Sequence, residues 1–251
     1  EGTGIIEAIL PRENYVLRKS VHKSGHGHMI AANIDQALLV VTLKTPRTSL
    51  GFIDRFLVST EAFRIPTVLV FNKLDLFDDN DFVQLEEIIE TYENIGVKCI
   101  DISAKNEIHI DQVSAALTGK TTLVSGHSGT GKSTLVNLLA PHIEQTVNEI
   151  STFADKGVHT TTFAEMFELD QDTRIIDTPG IKELGLMEIE EAELSDYFPE
   201  MRALIGECKF HNCKHLHEPK CAIRNAVEQG EIAISRYYNY LSMLEDSDSH
   251  R

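Results

Sequence analysis

The chain has 251 residues and a mass of 28.1 kDa, which allows one large domain or two small ones. Hydrophobic residues make up 42% and charged residues 25%, the composition of a globular protein, and no apolar run reaches the roughly 18–20 residues of a membrane span. With 23 basic and 39 acidic residues, the net charge of −16 excludes a chain that coats nucleic acid nonspecifically, but it leaves room for a local basic patch.

The start of the chain and its cysteines indicate the cellular compartment of the protein. Glu1–Gly4 has neither the basic nor the apolar segment of a signal peptide, and it lacks methionine, so we expect the first native residues to be missing. Three of the four cysteines lie close together, which suits a metal site in a reducing compartment better than a disulfide framework. We therefore expect a cytoplasmic protein with no membrane partner.

The first 27 residues differ in texture from the rest of the chain. Two short strands are predicted, 4–10 and 15–18, with a turn at 11–14 between them, and residues 19–27 read as a basic loop. This segment is too short to bury a core alone. It is typical of the end of a small β-barrel whose opening strands are absent.

From Ile34 onward, apolar strands alternate with amphipathic helices. Ser49 is placed to cap the first helix, and a turn at 171–172 indicates an antiparallel pair between 161–169 and the last strand. The alternation predicts an α/β fold, with a mainly parallel sheet and helices on both faces. The predicted strands are 37–41, 67–71, 97–102, 121–124 and 174–177, and the predicted helices are 49–63, 81–94 and 131–140.

A phosphate-binding loop is predicted where a strand meets a helix. Residues 126–133 match G-x-x-x-x-G-K-[ST], whose glycines let backbone N–H groups surround phosphates at a helix N-terminus. Lys132 is expected to reach the β- and γ-phosphates and Ser133 the Mg²⁺; the alternative is a chance glycine-rich turn. The expected nucleotide contacts are Gly126, His127, Ser128, Gly129, Thr130, Gly131, Lys132, Ser133 and Thr134.

A D-x-x-G motif follows about 45 residues after that lysine. Asp177 ends a predicted strand and Gly180 closes the motif, where a nucleotide switch places its metal-side aspartate and its γ-phosphate sensor. Alone this motif is a common strand-end turn. Together with the phosphate-binding loop it indicates a switch.

Two further motifs end consecutive strands and indicate guanine. The carboxylate of Asp75 can accept hydrogen bonds from guanine N1–H and the 2-amino group, a donor pair that adenine lacks. Asn72 is expected to tie this loop to the phosphate-binding loop, and Lys73 to cover one face of the base. Either motif alone would favour a solvated turn. The residues are Asn72, Lys73, Leu74 and Asp75 (N-K-L-D), then Ser103, Ala104 and Lys105 (S-A-K), which would offer a backbone N–H to guanine O6.

The order of these motifs is unusual. GTPases usually run phosphate-binding loop, switch I, D-x-x-G, N-K-x-D, S-A-K, whereas here the last two come first. We interpret this as a circular permutation between the usual third and fourth strands, with the old ends rejoined near residues 118–120. The segment after Gly180 then leads directly into the C-terminal region.

That region begins with acidic residues 188–196 and ends with a predicted helix, 223–244, and a polar tail. Between them lies the pattern C-x₄-C-x-H-x₅-C, three thiolates and an imidazole of the closed, structural Zn²⁺ type. A disulfide with a spare thiol and a chance cluster are the alternatives, and His211 and His217 compete for the imidazole position. Cys99 reads as a small buried hydrophobe. The basic residues around the cluster form either a solvated surface or an RNA contact: Lys209, His211, Lys214, His217 and Lys220.

The motif order, the H-T-T-T sequence at 159–162 and the cysteine cluster resemble the RsgA (YjeQ) family of circularly permuted ribosome-assembly GTPases. The resemblance implies the end of an OB-fold (1–32), a permuted GTPase domain (33–187) and a zinc-binding helical domain (188–251). It implies Cys208, Cys213, His215 and Cys221 as zinc ligands. It also implies binding to the small ribosomal subunit and its rRNA in late maturation.

We therefore expect a monomeric GTP-hydrolysing switch whose ligands are GTP and GDP. A nucleotide-gated RNA-binding module with incidental hydrolysis shares every motif, whereas an ATPase or kinase conflicts with N-K-L-D. Ser133 and either Thr160 or Thr161 are expected to hold the Mg²⁺, with Asp177 just beyond its direct ligands.

The residue that positions the attacking water is expected to be His159. The position after D-x-x-G, often a glutamine, is Ile181, which can form no hydrogen bond through its side chain. His159 immediately precedes the switch-I threonines, and the resemblance places the family's switch-I histidine at this position. An incidental loop histidine is the alternative.

Overall fold

The computed structural model describes residues 7–9, 11–18, 28–140, 164–177 and 189–248. None of the helices within these ranges is long and apolar enough to cross a membrane. The strands are β1 (Tyr15–Arg18), β2 (His28–Ala32), β3 (Gln36–Val41), β4 (Thr67–Phe71), β5 (Lys98–Asp101), β6 (Thr121–Gly126), β7 (Glu165–Glu168) and β8 (Arg174–Asp177). The helices are α1 (Leu50–Ala62), α2 (Asp79–Glu93), α3 (Ile110–Leu117), α4 (Lys132–Leu139), α5 (Pro199–Arg202), α6 (Ala222–Glu228) and α7 (Ile234–Asp248).

A six-stranded sheet in the order β5-β4-β3-β6-β8-β7 forms the centre of the molecule. Five strands are parallel and β7 pairs antiparallel with β8, so the predicted α/β fold and its antiparallel pair are confirmed. Every residue of β3 is buried because side chains from its two faces enter two apolar layers. Helices α1 and α2 cover one layer and α3 and α4 the other.

Local sequence explains where the helices begin. The Ser49 hydroxyl accepts a hydrogen bond from the Phe52 N–H (3.2 Å), so α1 has the predicted N-cap. Helix α2 begins at Asp79, two residues before the predicted start. The reason is a capping box, in which Asp78 accepts from the Asp81 N–H and the Asp81 carboxylate accepts from the Asp78 N–H.

The predicted helix 223–244 is wrong as a single element. The chain forms α6 and α7 with a turn between them, because Gly230 adopts φ +77° and its N–H donates to the Val227 carbonyl (3.1 Å), which ends α6. Helix α3 and strand β2 were not predicted. Residues 7–9, the described part of predicted strand 4–10, belong to no strand, and Ile9 is 90% exposed.

The C-terminal region has its own apolar cluster, built from α5, α6, α7 and the turn Leu194–Tyr197. Val58 of α1 belongs to this cluster, so the region packs directly on a helix of the sheet layer. The N-terminal strands β1 and β2 form a separate two-stranded antiparallel sheet.

Candidate functional site

The predicted nucleotide motifs meet at one edge of the sheet. Strands β4, β5, β6 and β8 are parallel, so the residues that follow them lie at the same carboxyl edge. Asn72 follows β4, Ser103 lies just beyond β5, the phosphate-binding loop follows β6, and Asp177 ends β8. The described motif residues therefore meet at one edge although their order in the chain is changed.

The phosphate-binding loop depends on glycine at two close approaches. A Cβ atom on Gly131 would lie 2.3 Å from Asn72 Nδ2, and one on Gly126 would lie 2.5 Å from the Val40 carbonyl oxygen. Gly131 also has φ +90° and directly precedes α4, so the N–H groups of that helix's first turn open toward the loop. This is the geometry that surrounds a phosphate.

Lys132 and Asp177 face each other at the centre of the edge. Lys132 Nζ lies 2.7 Å from Asp177 Oδ1, and the lysine side chain is only 11% exposed. The phosphate-binding lysine and the first residue of D-x-x-G therefore converge on one point, as a nucleotide's phosphates and their Mg²⁺ require. Ser133 and Thr134 are exposed in the first turn of α4.

Asn72 joins three segments of the site. Its Nδ2 donates to the Thr130 carbonyl (2.8 Å), and its Oδ1 accepts from the N–H groups of Lys73 (2.8 Å) and Ala104 (3.0 Å). The side chain is buried, so these bonds are shielded from water. The N-K-L-D loop, the S-A-K loop and the phosphate-binding loop are thereby fixed relative to one another, including the tie that the sequence predicted.

Asp75 is oriented by the S-A-K loop. Its Oδ1 accepts from the Ser103 hydroxyl (2.7 Å), and its Oδ2 lies 3.8 Å from Lys105 Nζ. The Asp75 side chain is 8% exposed. A fixed and largely buried carboxylate at this edge is the acceptor pair that the guanine N1–H and 2-amino group need, and it would leave an adenine nucleotide unpaired.

One contact in the loop was not predicted from the sequence. The His127 ring packs against Phe52 of α1, with ring centroids 3.9 Å apart and ring planes tilted by 34°. His159, Thr160, Thr161 and Gly180 lie outside the described residues, so the assignments of switch I and the γ-phosphate sensor stay predictions.

The four predicted zinc ligands come together in the C-terminal region. The donor atoms of Cys208, Cys213, His215 and Cys221 all lie within 4.8 Å of one another, and His211 and His217 do not belong to the group. Cys208 Sγ and Cys221 Sγ are 3.9 Å apart, and His215 Nδ1 lies 3.6 and 3.4 Å from them. A tetrahedral Zn²⁺ requires about 3.8 Å between sulfurs and about 3.5 Å from sulfur to nitrogen. The donor set fits a structural zinc.

Burial in the cluster favours the neutral forms of these ligand side chains. Burial raises the pKa of the Cys213 thiol to about 12 and raises that of Cys221, while it lowers the pKa of the His215 imidazole. A bound cation reverses the shifts of the thiols, because metal binding requires thiolates, and it is compatible with a neutral imidazole.

Groups around the cluster fix its ligands. The N–H groups of Ala222 and Arg224 point at the sulfurs of Cys208 (3.4 Å) and Cys221 (3.5 Å). The Tyr237 hydroxyl donates to the His215 carbonyl (2.6 Å). Such outer contacts orient ligands and tune the metal.

Glu218, which the sequence did not single out, organises the ligand loop. Its carboxylate accepts from the backbone N–H groups of Lys214 (2.9 Å), Leu216 (2.9 Å) and His217 (3.1 Å). Partial burial alone would raise the pKa of the Glu218 carboxyl. The hydrogen bonds outweigh burial and hold this pKa below its usual range. A glutamate three residues after a ligand histidine is the signal that could have identified it.

A buried charged junction connects the C-terminal region to the sheet layer. Arg236 of α7 donates to Asp54 of α1 (2.7 Å) and to both carboxylate oxygens of Glu200 (2.7 and 3.1 Å). Asp54 also accepts from Tyr92 (2.9 Å) and Asn239 (2.5 Å). Burial alone would lower the pKa of Arg236, but Asp54 and Glu200 outweigh it and raise that pKa. The arginine therefore stays charged.

Known proteins are similar to this chain over most of its length. The RsgA GTPase family profile matches residues 9–187. A relative from Christiangramia forsetii, a "small ribosomal subunit biogenesis GTPase RsgA", is 50% identical over all of this chain and 80% of its own length. A relative of the same name from Cytophaga hutchinsonii is 52% identical over 97% of this chain and 79% of its own length.

Two solved structures match as well. YjeQ from Thermotoga maritima superimposes with a TM-score of 0.79 at 37% identity, over 98% of this chain and 79% of that one. YloQ, described as a circularly permuted GTPase, gives 0.73 at 30% identity, over 98% of this chain and 83% of that one. With its permuted strand order and its guanine and phosphate motifs on one edge, the chain belongs to the RsgA GTPase family and is a GTP-hydrolysing enzyme.

Proposed function

We propose that this GTPase is a switch that binds the small ribosomal subunit, assists its late maturation, and hydrolyses GTP faster when bound to it. Two of its relatives are named small ribosomal subunit biogenesis GTPases, which supports a role in making that subunit. The observation that carries the proposal is that Asn72, Asp75 and Lys132 lie at one carboxyl edge of the sheet, while a cluster of metal-ligating side chains lies in a separate region. That combination suits a nucleotide switch whose state is transmitted to the C-terminal region that binds the ribosomal subunit.

In this proposal the nucleotide is held by the three motifs and the two switch segments. The phosphate-binding loop holds the phosphates, Asp75 and the S-A-K loop select guanine, and Ser133 with Thr160 or Thr161 holds the Mg²⁺. Asp177 and Gly180 respond to the γ-phosphate.

Three domains are proposed: 1–32, 33–187 and 188–251. The last would contact rRNA, because the five basic residues around the zinc cluster are all exposed or half-buried at the surface: Lys209, His211, Lys214, His217 and Lys220. The three lysines carry positive charge at the surface of an acidic chain, although Lys214 pairs with Glu191 (3.3 Å), and this favours a local rather than a general contact with phosphates. We place the enzyme in the cytoplasm, as a monomer, with one structural Zn²⁺.

The experiment that tests the switch is a measurement of multiple-turnover GTP hydrolysis with and without purified small ribosomal subunits. We expect a clear acceleration by the subunits. The alternative, a nucleotide-gated RNA-binding module, predicts binding to the subunit with no acceleration, and that result would contradict the proposal.

His159→Ala tests the residue proposed to position water. We expect the subunit-stimulated rate to fall to near the basal rate while GTP affinity stays nearly unchanged, because the imidazole would act on water and not on the nucleotide. Full stimulation of the variant would exclude His159 and favour a group supplied by the ribosome.

Asp75→Asn tests guanine selection. We expect GTP binding to weaken by roughly 2–3 kcal/mol, because the amide cannot accept both hydrogen bonds, while xanthosine triphosphate gains affinity. The measurement is a titration with both nucleotides. Unchanged GTP affinity would remove Asp75 from the base-binding site.

A further inference from the structure

Residues 42–49, which we call the β3–α1 loop, lie beside the nucleotide edge and contain none of the GTPase motifs. Two buried threonines close the base of this loop: the Thr48 N–H donates to the Thr42 carbonyl (2.8 Å), and the Thr42 N–H donates to the Thr48 hydroxyl (3.2 Å). The residues at its tip, 44–47, are exposed. A closed base gives the tip a fixed position from which to contact its neighbours.

One lysine runs from this loop to the segment that follows Asp75. Lys44 Nζ donates to the Leu76 carbonyl (3.2 Å), lies 3.3 Å from Asp78 Oδ2 and also pairs with the Asp81 carboxylate. Asp78 and Asp81 form the capping box of α2. Lys44 therefore holds the end of the N-K-L-D loop where it enters that helix.

A second lysine runs in the opposite direction between the same two segments. Lys73 Nζ donates to the Thr45 carbonyl at 2.6 Å. Asp75 lies between these two attachments, with Lys73 on one side of it and Leu76 on the other. The carboxylate proposed to read guanine is thus held on both sides by the β3–α1 loop.

The loop also contacts the phosphate side. Pro46 packs next to Gly129, where a Cβ atom would lie 3.4 Å from the proline Cδ. Just after this loop, Phe52 in the first turn of α1 packs against His127, with ring centroids 3.9 Å apart. One segment therefore touches both the base-binding and the phosphate-binding loops.

We propose that the β3–α1 loop is a specificity element of the nucleotide site and that Lys44 is its positioning residue, which sets the angle of Asp75 toward guanine. The inference rests on the proposed role of Asp75. A carboxylate that accepts two hydrogen bonds from one base edge needs a narrower orientation than one that accepts a single bond. Loss of the Lys44 attachment therefore weakens recognition of the 2-amino group more than that of N1–H.

The test compares GDP with IDP, which keeps N1–H but lacks the 2-amino group. Affinities are measured by titration calorimetry for the wild-type protein, Lys44→Ala and Lys44→Arg. We expect Lys44→Ala to weaken GDP binding about threefold to fivefold, the size of a partly exposed ion-pair network, and IDP binding less than about twofold. Lys44→Arg keeps the charge and restores most of the preference for GDP.

Lys98→Ala is the matched control. Lys98 is an exposed lysine at the start of β5, at the opposite end of the strand from the nucleotide motifs. It should leave both affinities unchanged. If Lys44→Ala weakens GDP and IDP equally, or neither, the loop has no role in specificity and the inference is overturned. A wild-type protein that binds IDP as tightly as GDP would instead contradict the role of Asp75 itself.

Discussion

The central sheet and the C-terminal region bury their side chains by different means. The sheet is held by two apolar layers, one on each face, and the nucleotide residues project from the ends of its strands. The C-terminal region has one smaller apolar cluster and adds two polar devices, the Cys₃His group and the Arg236 junction.

This difference determines how the stability of each region responds to a single substitution. An apolar layer loses stability in small steps as methyl groups are removed, because the remaining contacts persist. A metal site or a buried ion pair fails when one member is lost, because its partners are left uncompensated. The C-terminal region should therefore be the more sensitive to single changes, and the nucleotide edge the more robust.

Metal removal should separate the two regions most strongly. We expect about one Zn²⁺ per chain by elemental analysis. A strong chelator, or Cys213→Ser, should make the C-terminal region sensitive to protease and leave GDP affinity largely unchanged, because zinc binding supplies folding free energy only there.

Alkylation gives a second measure of the same prediction. Chelation should loosen the C-terminal region and expose Cys208, Cys213 and Cys221 to iodoacetamide at about pH 8. Cys99 should stay unreactive because it remains in the intact sheet, where burial raises the pKa of its thiol to about 12. Protein that contains no zinc and yet resists protease would contradict the comparison.

The buried junction should show the next largest effect. Asp54→Ala leaves the charge of Arg236 only partly compensated, and we expect a loss of about 3–5 kcal/mol in the free energy of unfolding, measured in urea. Arg202→Ala is the control, because Arg202 and Glu61 form an exposed pair (2.6 Å) across the same interface. The control should cost less than about 1 kcal/mol. Equal losses would show that burial of the charges is unimportant.

Gly131→Ala tests the robustness of the nucleotide edge at its tightest point. We expect weaker GDP binding and a loss of about 2–3 kcal/mol in stability, because the new methyl group would displace Asn72 and the residue would keep a positive φ. Gly119 also has a positive φ (+68°), with nothing within 4 Å of a built Cβ. Gly119→Ala should therefore cost only about 1 kcal/mol and leave GDP affinity unchanged. Equal effects would mean that the contact with Asn72 is irrelevant.

Glu218→Gln should produce the smallest effect. The amide keeps one acceptor oxygen but loses the charge that receives three backbone N–H groups, so the ligand loop should loosen. We expect zinc release to a chelator to become about two- to fivefold faster, with no change in the nucleotide site.

The contribution of Glu218 to stability should also depend on pH. Because the pKa of its carboxyl is depressed, this contribution is present above the unfolded-state pKa and is lost as pH falls through the folded-state pKa. Unchanged release at neutral pH would exclude the role of Glu218.

The sequence predicted well which strand ends carry the motifs and meet at the carboxyl edge, because this information is local. The alternation of strands and helices placed each motif at a strand end, and Ser49 marked the start of α1 through its capping chemistry alone. The parallel sheet then brought distant motifs together without further information. The permuted order was readable for the same reason.

The junction between the regions was not predictable in the same way. Asp54 and Arg236 are 182 residues apart, and each reads alone as an ordinary charged helix residue. The Lys44 and Lys73 contacts cross between two loops, where no periodicity indicates a partner. Gly230, inside the predicted helix 223–244, is the residue whose positive φ marks the break between α6 and α7.

The permuted strand order has a consequence for folding during synthesis. A ribosome releases the chain from its N-terminus, so β3, β4 and β5, which are neighbours in both sequence and sheet, are complete before the phosphate-binding loop exists. Strand β6 then adds to the free edge of β3, and the β7–β8 hairpin adds to β6. A fragment of residues 28–118 should therefore already protect the amides of β3 and β4 from hydrogen exchange, and full exchange there would refute this order. Every later strand joins an open edge of the sheet. Strands β3 to β5, which carry the proposed guanine-binding motifs, therefore form first, and the strands next to the phosphate-binding loop assemble on them.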